Sequence, residues 1–125
     1  GWNICLQVCY DLRFPVWSRN INNEYDLLIY IASWPTPRIH AWNTLLCARA
    51  IENQCYVCGV NRTGRDGNGL HYPGYSALYS PKGEILTGTP DSEEKIQTIE
   101  LDIEPLTAFR HKFPSWKDAD SFLLY

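Results

Sequence analysis

An almost unbroken apolar run at residues 26–32 is the feature that most constrains how this chain can fold. It begins with Asp26 and continues Leu-Leu-Ile-Tyr-Ile-Ala. A strand with one face in water alternates apolar and polar residues, whereas a strand covered on both faces is apolar throughout. The run is also much shorter than the ~18 residues that cross a membrane. It therefore predicts a strand covered on both faces, inside a layered arrangement of sheets and helices.

The segments around this run alternate between strand and helix patterns. Residues 4–8 and 55–60 are strand-like, and residues 37–53 are helical, with Thr36 as the N-cap and Pro37 as the first helical residue. The apolar positions of this helix recur at helical spacing: Ile39, Trp42, Leu45, Leu46 and Ala50. This order, with short connections, predicts parallel neighbouring strands. Ligands in such sheets bind beyond the carboxyl ends of the strands.

The rest of the chain predicts smaller elements within one structural unit over residues 1–125. They are a short helix at 15–20, turn-forming glycines at 64–74, a hairpin of 75–79 with 84–87, a strand at 96–101, a short helix at 106–112, and an aromatic tail at 113–125 that packs on a neighbouring chain. The sequence has no methionine, and Gly1 stands close to a core strand. We therefore expect the N-terminal part of a larger domain to be missing.

Composition and charge exclude several classes of protein. Hydrophobic residues make up 45% of the 125 residues, which is typical of a globular domain. The net charge of −3 leaves no basic face for a nucleic acid, and no apolar run is long enough for a membrane. The five cysteines are not spaced like a disulfide framework, which predicts reduced thiols in the cytoplasm. Cys55 and Cys58 face opposite sides of a predicted strand, so no metal or redox cofactor is expected there.

The candidate nucleophile is Cys9, which ends the first predicted strand. A polar turn and a helix follow it, and a helix N-terminus lowers the pKa of a nearby thiol. The backbone N–H of Tyr10 is placed to stabilise the oxyanion that forms when a thiolate attacks a carbonyl carbon. Two other strand ends, at residues 33–34 and 61–62, converge on the same edge of the sheet.

From spacing alone, two alternatives to a catalytic Cys9 stay open. Most cysteines in strands are inert buried thiols. A cysteine–histidine hydrolase complete within this chain would instead need one of three histidines as its base, namely His40, His71 or His111.

Several segments, in order, resemble the nitrilase superfamily of carbon–nitrogen hydrolases. The stretch Val-Cys-Tyr-Asp-Leu-Arg-Phe-Pro at 8–15 is similar to the nucleophile segment of that family. Further similar segments are Ala-Ser-Trp-Pro at 32–35, residues 48–57, Asn-Arg at 61–62, residues 79–85 and residues 113–120. The resemblance covers nearly the whole chain and is closest to the bacterial omega-amidase type.

The resemblance implies an α/β fold, the C-terminal half of an α-β-β-α sandwich with two sheets back to back. It also implies catalysis by a glutamate base, a lysine and a cysteine, with Cys9 as the nucleophile and the Tyr10 amide at the oxyanion. The glutamate and the lysine belong to the family's N-terminal half, and no residue of this chain matches them. We therefore expect the chain alone to be inactive and to expose a large apolar face.

The implied reaction is omega-amidase-like release of ammonia from a small amide of the 2-oxoglutaramate or succinamate type, through a cysteine thioester and without a cofactor or a metal. The remaining site residues have the following expected roles: Trp34, Pro35 and Asn61 bind the substrate, and Asp11, Arg13 and Glu52 support the site. A cytoplasmic homodimer is the expected state. The alternative is a non-catalytic binding or assembly module that keeps the fold.

Overall fold

A five-stranded mixed sheet is the centre of the computed structural model, which describes residues 1–88 and 94–123. The strands and α-helices, in chain order, are β1 (Ile4–Val8), β2 (Leu27–Ala32), α1 (Ile39–Asn53), β3 (Tyr56–Asn61), β4 (Thr63–Arg65), β5 (His71–Pro73), β6 (Ala77–Tyr79), β7 (Ile85–Gly88) and α2 (Ile103–Lys112). The main sheet has the order β1-β2-β3-β6-β7, and β4 and β5 form a separate hairpin. No helix in the described ranges is both long and apolar enough to cross a membrane.

The first three strands are parallel, as the alternation of strand and helix predicts. Their register places Val8 beside Ile31 and Ile31 beside Val60, so all three strands end at one edge of the sheet. The predicted hairpin is also confirmed, because β6 and β7 pair antiparallel and extend the sheet beyond β3. The edge at which β1, β2 and β3 end is therefore the place where a ligand would meet several strand ends at once.

One face of the sheet, here called the covered face, packs against α1. The core at this contact consists of buried side chains from both elements: Leu28, Tyr30, Trp42, Leu46, Ala50 and Val57. Gly59 lets the helix approach closely, because a Cβ atom at that position would lie 2.4 Å from Leu46 Cδ1 and 2.8 Å from Trp42 Cζ2. The three predicted helix residues Trp42, Leu46 and Ala50 thus anchor α1 to the sheet.

The opposite face, here called the open face, presents apolar side chains that no helix of the described residues covers. It carries the alternate residues of the same strands, which include Ile4, Leu6, Val8, Ile31 and Val60. Leu6 is 72% exposed and Ile31 is 55% exposed. The prediction that residues 26–32 are covered on both faces is therefore correct for one face of this chain and wrong for the other.

Helix α2 closes the end of the sheet opposite the shared strand edge. Its Arg110 donates to the carboxylate of Asp26 at 2.8 Å, to the Tyr25 carbonyl oxygen at 2.7 Å and to the Gln54 carbonyl oxygen at 2.9 Å. Asp26 precedes β2 and Gln54 ends α1, so one side chain ties three elements together. Because this buried guanidinium has a carboxylate and two carbonyls as partners, the cost of its burial is offset.

Several predicted elements differ in the structure. The short helix predicted at 15–20 is present only in part, as a 3₁₀ helix over Pro15–Ser18, and a second 3₁₀ helix, Ile21–Asn23, follows it. Residues 96–101 are described without strand pairing, so the predicted strand is wrong. The Gly-rich stretch contains the β4–β5 hairpin, which the sequence did not predict. In the tail, the last two residues lie outside the described ranges.

The start of α1 also differs from the prediction. Thr36 does not cap the helix; it opens a 3₁₀ turn, Thr36–Arg38, that precedes α1. Its hydroxyl group instead lies 2.9 Å from Nδ1 of His71 and donates to the His71 carbonyl oxygen at 3.1 Å. The side chain thus joins the connection after β2 to the β4–β5 hairpin.

Candidate active site at the carboxyl edge of the sheet

Cys9 lies at the point where β1 ends and a 3₁₀ helix, Cys9–Arg13, begins. Its φ angle of 44° puts it in the left-handed region, which residues other than glycine rarely adopt. Its side chain is half-buried, and Sγ lies 4.0 Å from the carbonyl oxygen of Ser33 at the end of β2. Such backbone strain is typical of residues whose position serves a function. The sharp turn that the sequence predicts is present, although a 3₁₀ helix follows it rather than an α-helix.

Asp11 stabilises the start of this turn. Its carboxylate accepts a hydrogen bond from the Val8 amide at 2.9 Å, and its carbonyl oxygen accepts one from the Phe14 amide at 2.9 Å. The turn is therefore closed on both sides of Cys9. Tyr10 stands second in the 3₁₀ helix, where backbone N–H groups have no intrahelical acceptor, and its exposed ring packs edge-on against Phe14.

Trp34 and Pro35, which the sequence places in the substrate pocket, are both buried. The Trp34 indole donates to the Arg38 carbonyl oxygen at 2.7 Å and packs against Trp42 with ring centroids 5.5 Å apart. Arg13 lies over the Trp34 ring, with its guanidinium carbon 5.1 Å from the centroid. Trp34 thus connects the turn of Cys9 to α1 through an aromatic and cationic contact.

Asn61 uses its side-chain amide on backbone groups. Its Oδ1 atom accepts from the Trp34 amide at 2.6 Å, and its Nδ2 atom donates to the carbonyl oxygens of Trp34 and Gly74 at 2.9 Å and 2.7 Å. The residue is buried at the end of β3. It therefore fixes the loops after β2 and β5 to the end of β3, and Arg62 is the exposed residue that follows it.

Glu52 reaches the turn of Cys9 through Arg49. The two residues form an ion pair with a distance of 2.9 Å between Arg49 Nη1 and Glu52 Oε1. Arg49 Nη2 then donates to the carbonyl oxygen of Leu12, inside the 3₁₀ helix of Cys9, at 2.7 Å. The spacing of three residues predicts the ion pair, but nothing in the sequence indicates the bond to Leu12.

The three histidines lie on separate elements. His40 is exposed in the first turn of α1, and His71 is engaged with Thr36. His111 is exposed near the end of α2, at the end of the sheet opposite Cys9. Their dispersal gives no support to a cysteine–histidine pair built from His40 or His111.

The other cysteines differ from Cys9 in their surroundings. Cys55 is fully buried in the core next to the covered face, and burial raises the pKa of its thiol well above the usual range. Cys58 lies within β3, and partial burial raises its thiol pKa as well. All five cysteines are free thiols. Burial thus disfavours the reactive thiolate at both positions of the Cys-x-x-Cys segment.

Comparison with known families identifies the chain. The family model for carbon–nitrogen hydrolases matches residues 1–111. The chain belongs to the carbon–nitrogen hydrolase family. Omega-amidase YafV from Escherichia coli (strain K12) is 55% identical over 126 residues, which covers 100% of this chain and 48% of that protein. The 2-oxoglutaramate amidase of Bacillus subtilis (strain 168) is 38% identical over 112 residues, covering 89% of this chain and 42% of that protein.

The fold of this carbon–nitrogen hydrolase chain agrees with that of solved structures. XC1258 from Xanthomonas campestris, a CN-hydrolase superfamily protein with an arsenic adduct in its active site, matches with a TM-score of 0.96 and 45% identity. The match covers 100% of this chain and 49% of that one. The chain thus spans about half the length of the relatives it matches. The α/β fold expected from the sequence is confirmed.

Proposed function

We propose that this chain carries the nucleophile of an omega-amidase-type carbon–nitrogen hydrolase, and that Cys9 is that nucleophile. The observation that carries the proposal is the left-handed backbone of Cys9 at the carboxyl end of β1. The turn lifts the thiol out of the sheet at the edge where β1, β2 and β3 all end. Membership of the carbon–nitrogen hydrolase family supports hydrolysis of an amide bond there.

The proposed reaction has two steps. The Cys9 thiolate attacks the amide carbon and forms a C–S bond, and the resulting oxyanion is stabilised by the Tyr10 amide. The C–N bond then breaks, and the nitrogen leaves as ammonia after receiving a proton from the general acid. In the second step water attacks the thioester, releases the carboxylic acid and returns the thiol.

The general acid–base residue and the second oxyanion donor are proposed to come from outside these 125 residues. The resemblance assigns these roles to a glutamate and a lysine of the family's N-terminal half. The open face supports such a partner, because an apolar surface of this kind is covered in a stable protein. We propose that a second sheet from that half packs on Leu6, Ile31 and their neighbours, and that the chain alone is inactive.

The proposed substrates are small amides that also carry a carboxylate, such as 2-oxoglutaramate or succinamate. The similarity to proteins named omega-amidase and 2-oxoglutaramate amidase supports this class. Trp34 and Pro35 would form the wall behind the pocket, and Asn61 would hold that wall in place rather than touch the substrate. Arg62, exposed at the end of β3 and stacked 4.5 Å over the Tyr72 ring, is the cation we assign to the substrate carboxylate.

A cytoplasmic homodimer is the proposed state of the complete protein. Exposed aromatic side chains on the segment after Cys9 support an interface there, in particular Tyr10, Phe14 and Trp17. The free thiols support a reducing compartment.

The test is ammonia release from 2-oxoglutaramate by the full-length protein. Cys9→Ala should reduce activity to the background of the assay, and incubation of the unmodified enzyme with substrate should give an acyl adduct on the Cys9 peptide by mass spectrometry. Cys58→Ala is the matched control and should retain activity. An active Cys9→Ala enzyme would refute the proposal.

The non-catalytic alternative makes the opposite prediction. A binding or assembly module would release no ammonia from any of the proposed amides, although the full-length protein would still fold and associate. The same assay with 2-oxoglutaramate and succinamate therefore distinguishes the two functions.

A further inference from the structure

Arg49 is a buried cation that contacts the turn carrying Cys9. It lies in α1 and is only 3% exposed, and a guanidinium is rarely buried unless its hydrogen bonds are satisfied by fixed partners. Of its three nitrogens, Nη1 pairs with Glu52 and Nη2 donates to the carbonyl oxygen of Leu12 at 2.7 Å, whereas Nε is buried without a hydrogen-bond partner among the described residues. Leu12 is itself fully buried, three residues after Cys9. The charge is therefore directed at the backbone of the turn that carries the nucleophile.

The turn needs support at that point because its first residue is strained. Cys9 has a φ angle of 44°, and a residue with a Cβ atom keeps such a conformation only where its surroundings impose it. Asp11 holds the entrance of the turn through the Val8 amide. Arg49 holds its far side through the Leu12 carbonyl, so the strained residue lies between two charge-assisted hydrogen bonds.

Helix α1 also forms hydrogen bonds with the segment that follows this turn. Asn53, one turn further along the helix, accepts a hydrogen bond from the Asn20 amide at 2.9 Å and donates to the Arg49 carbonyl oxygen at 3.1 Å. Asn20 in turn donates to the Asn53 carbonyl oxygen at 3.2 Å. The segment from the turn to Asn20 is thus fixed to α1 at both ends. Of the two contacts, the one made by Arg49 is closer to Cys9 along the chain, because Leu12 lies three residues after it.

We propose that Arg49 is a positioning residue for Cys9: its bond to Leu12 keeps the turn in the left-handed geometry that presents the sulfur at the sheet edge. Glu52 orients the guanidinium and fixes its second nitrogen. This inference rests on the proposed role of Cys9 as the nucleophile. It assigns Arg49 no contact with the substrate, so its loss should lower the rate of reaction more than it weakens substrate binding.

Arg110 provides the matched control. It is also a buried arginine, 9% exposed, and it also donates to backbone carbonyl oxygens and to one carboxylate. Its partners lie at the other end of the sheet, away from Cys9. Replacement of either arginine therefore removes a similar set of interactions, but only one replacement loosens the nucleophile turn.

The experiment compares Arg49→Met, Arg49→Lys and Arg110→Met in the full-length enzyme. Arg49→Met should lower kcat roughly 10- to 100-fold with KM little changed, because small displacements of a reacting group have effects of that order. It should also slow alkylation of Cys9 by iodoacetamide, followed by mass spectrometry of the Cys9 peptide across a pH series. Arg49→Lys, which can still reach one partner, should recover part of both rates. Arg110→Met should lower the unfolding temperature but keep kcat and the Cys9 alkylation rate.

Two results would overturn the inference. One is an equal loss of kcat in Arg49→Met and Arg110→Met variants of equal unfolding temperature. The other is a rise in KM at unchanged kcat. If Arg49→Met does not fold, Arg49→Lys and Glu52→Gln take its place as the test. Both variants should keep part of the hydrogen bond to the Leu12 carbonyl oxygen. Both should lower kcat while KM stays unchanged. Failure of the proposed function is distinguishable, since Cys9→Ala would then remain active whatever the Arg49 variants do.

Discussion

The two faces of the main sheet carry side chains of similar chemistry but differ in what covers them. On the covered face, Leu28 and Val57 are completely buried beneath Trp42 and Leu46 of α1. On the open face, Leu6 and Ile31 are equally apolar and more than half exposed, whereas Leu27 and Ile29 of β2 are half-buried. The strands alternate between these two surfaces residue by residue, as the pleat requires.

The covered face supplies the stability of the chain, whereas the open face must be covered by a partner before the proposed active site is complete. A core of one sheet face and one helix fixes the strand order, and with it the edge at which Cys9 stands. The open face adds nothing to stability while it is in water, because apolar surface stabilises only when it is removed from solvent. Folding of the described chain and completion of the proposed active site therefore depend on different faces of the same sheet.

The strongest test of the covered face is Trp42→Ala. The fully buried indole packs on Trp34 and donates to the Tyr75 carbonyl oxygen at 2.9 Å, so its removal leaves a large cavity and an unpaired acceptor. We expect a loss of about 3–5 kcal/mol in the free energy of unfolding. Urea denaturation of the full-length protein, monitored by circular dichroism, measures it. A loss below about 1 kcal/mol would mean that this face is not the core.

The reactivities of Cys55 and Cys58 test the difference between the two sides of the sheet. Cys55 is fully buried and its thiol pKa is strongly raised, so it should react with iodoacetamide only when the structure opens. Cys58 is half-buried, with a raised thiol pKa, and should react on the order of 100-fold faster in the 125-residue chain. Both rates should increase with pH, since thiolate forms as pH approaches the pKa from below. Peptide mapping after timed alkylation measures them, and equal rates would contradict the comparison.

Gly59 and Val60, neighbours on β3, compare the two faces of the sheet through a smaller expected change in stability. Gly59→Ala adds a Cβ atom 2.4 Å from Leu46 Cδ1 and 2.8 Å from Trp42 Cζ2, and because both side chains are fully buried, the core must absorb any shift. Overpacking of this kind should cost about 1–3 kcal/mol in the free energy of unfolding. Val60→Ala, one residue along and on the open face, is the control and should change the 125-residue chain by less than about 0.5 kcal/mol. Urea titrations of both variants decide, and a neutral Gly59→Ala would show that α1 is free to shift.

The sequence predicts the covered side of the molecule better than it predicts the site. The bounds of β1, the parallel order of β1 to β3 and the anchoring residues of α1 follow from local patterns of apolar residues, and all are confirmed. Residues 96–101 alternate like a strand but form no strand with any part of the chain that the structure describes, because alternation alone does not specify a pairing edge. The polar turn and the short helix predicted after Cys9 are both 3₁₀ helices in the structure, Cys9–Arg13 and Pro15–Ser18, because local patterns do not determine the helix type.

Within the candidate site, sequence indicates which residues are near the strand ends but not how they bond. The sequence places Asn61 among the residues that bind the substrate, and only the structure reveals that its side-chain amide bonds to backbone groups of Trp34 and Gly74. Glu52 was expected to support the site, and the structure shows that the contact with the turn is made by Arg49. The acceptor of this hydrogen bond is a backbone carbonyl 37 residues away. Every residue type has such a carbonyl, so the residue types do not reveal the contact.

The smallest expected effect in the 125-residue chain is that of Leu6→Ser on the open face. Because Leu6 is 72% exposed, the variant should change the free energy of unfolding of this chain by less than about 0.5 kcal/mol. It should, however, reduce the binding of a hydrophobic dye and the tendency of the chain to associate. Fluorescence titration and analytical ultracentrifugation measure these two properties.

The same substitution has a different expected outcome in the full-length protein. There we propose that a second sheet covers the open face, so Leu6→Ser should cost about 2–5 kcal/mol, as loss of a buried leucine does. Leu28→Ser, on the neighbouring strand and the covered face, is the control and should be costly in both proteins. If Leu6→Ser is equally costly in the 125-residue chain, self-association already buries the open face, and the contrast between the two faces disappears. If it is harmless in both proteins, the proposed partner sheet does not pack there.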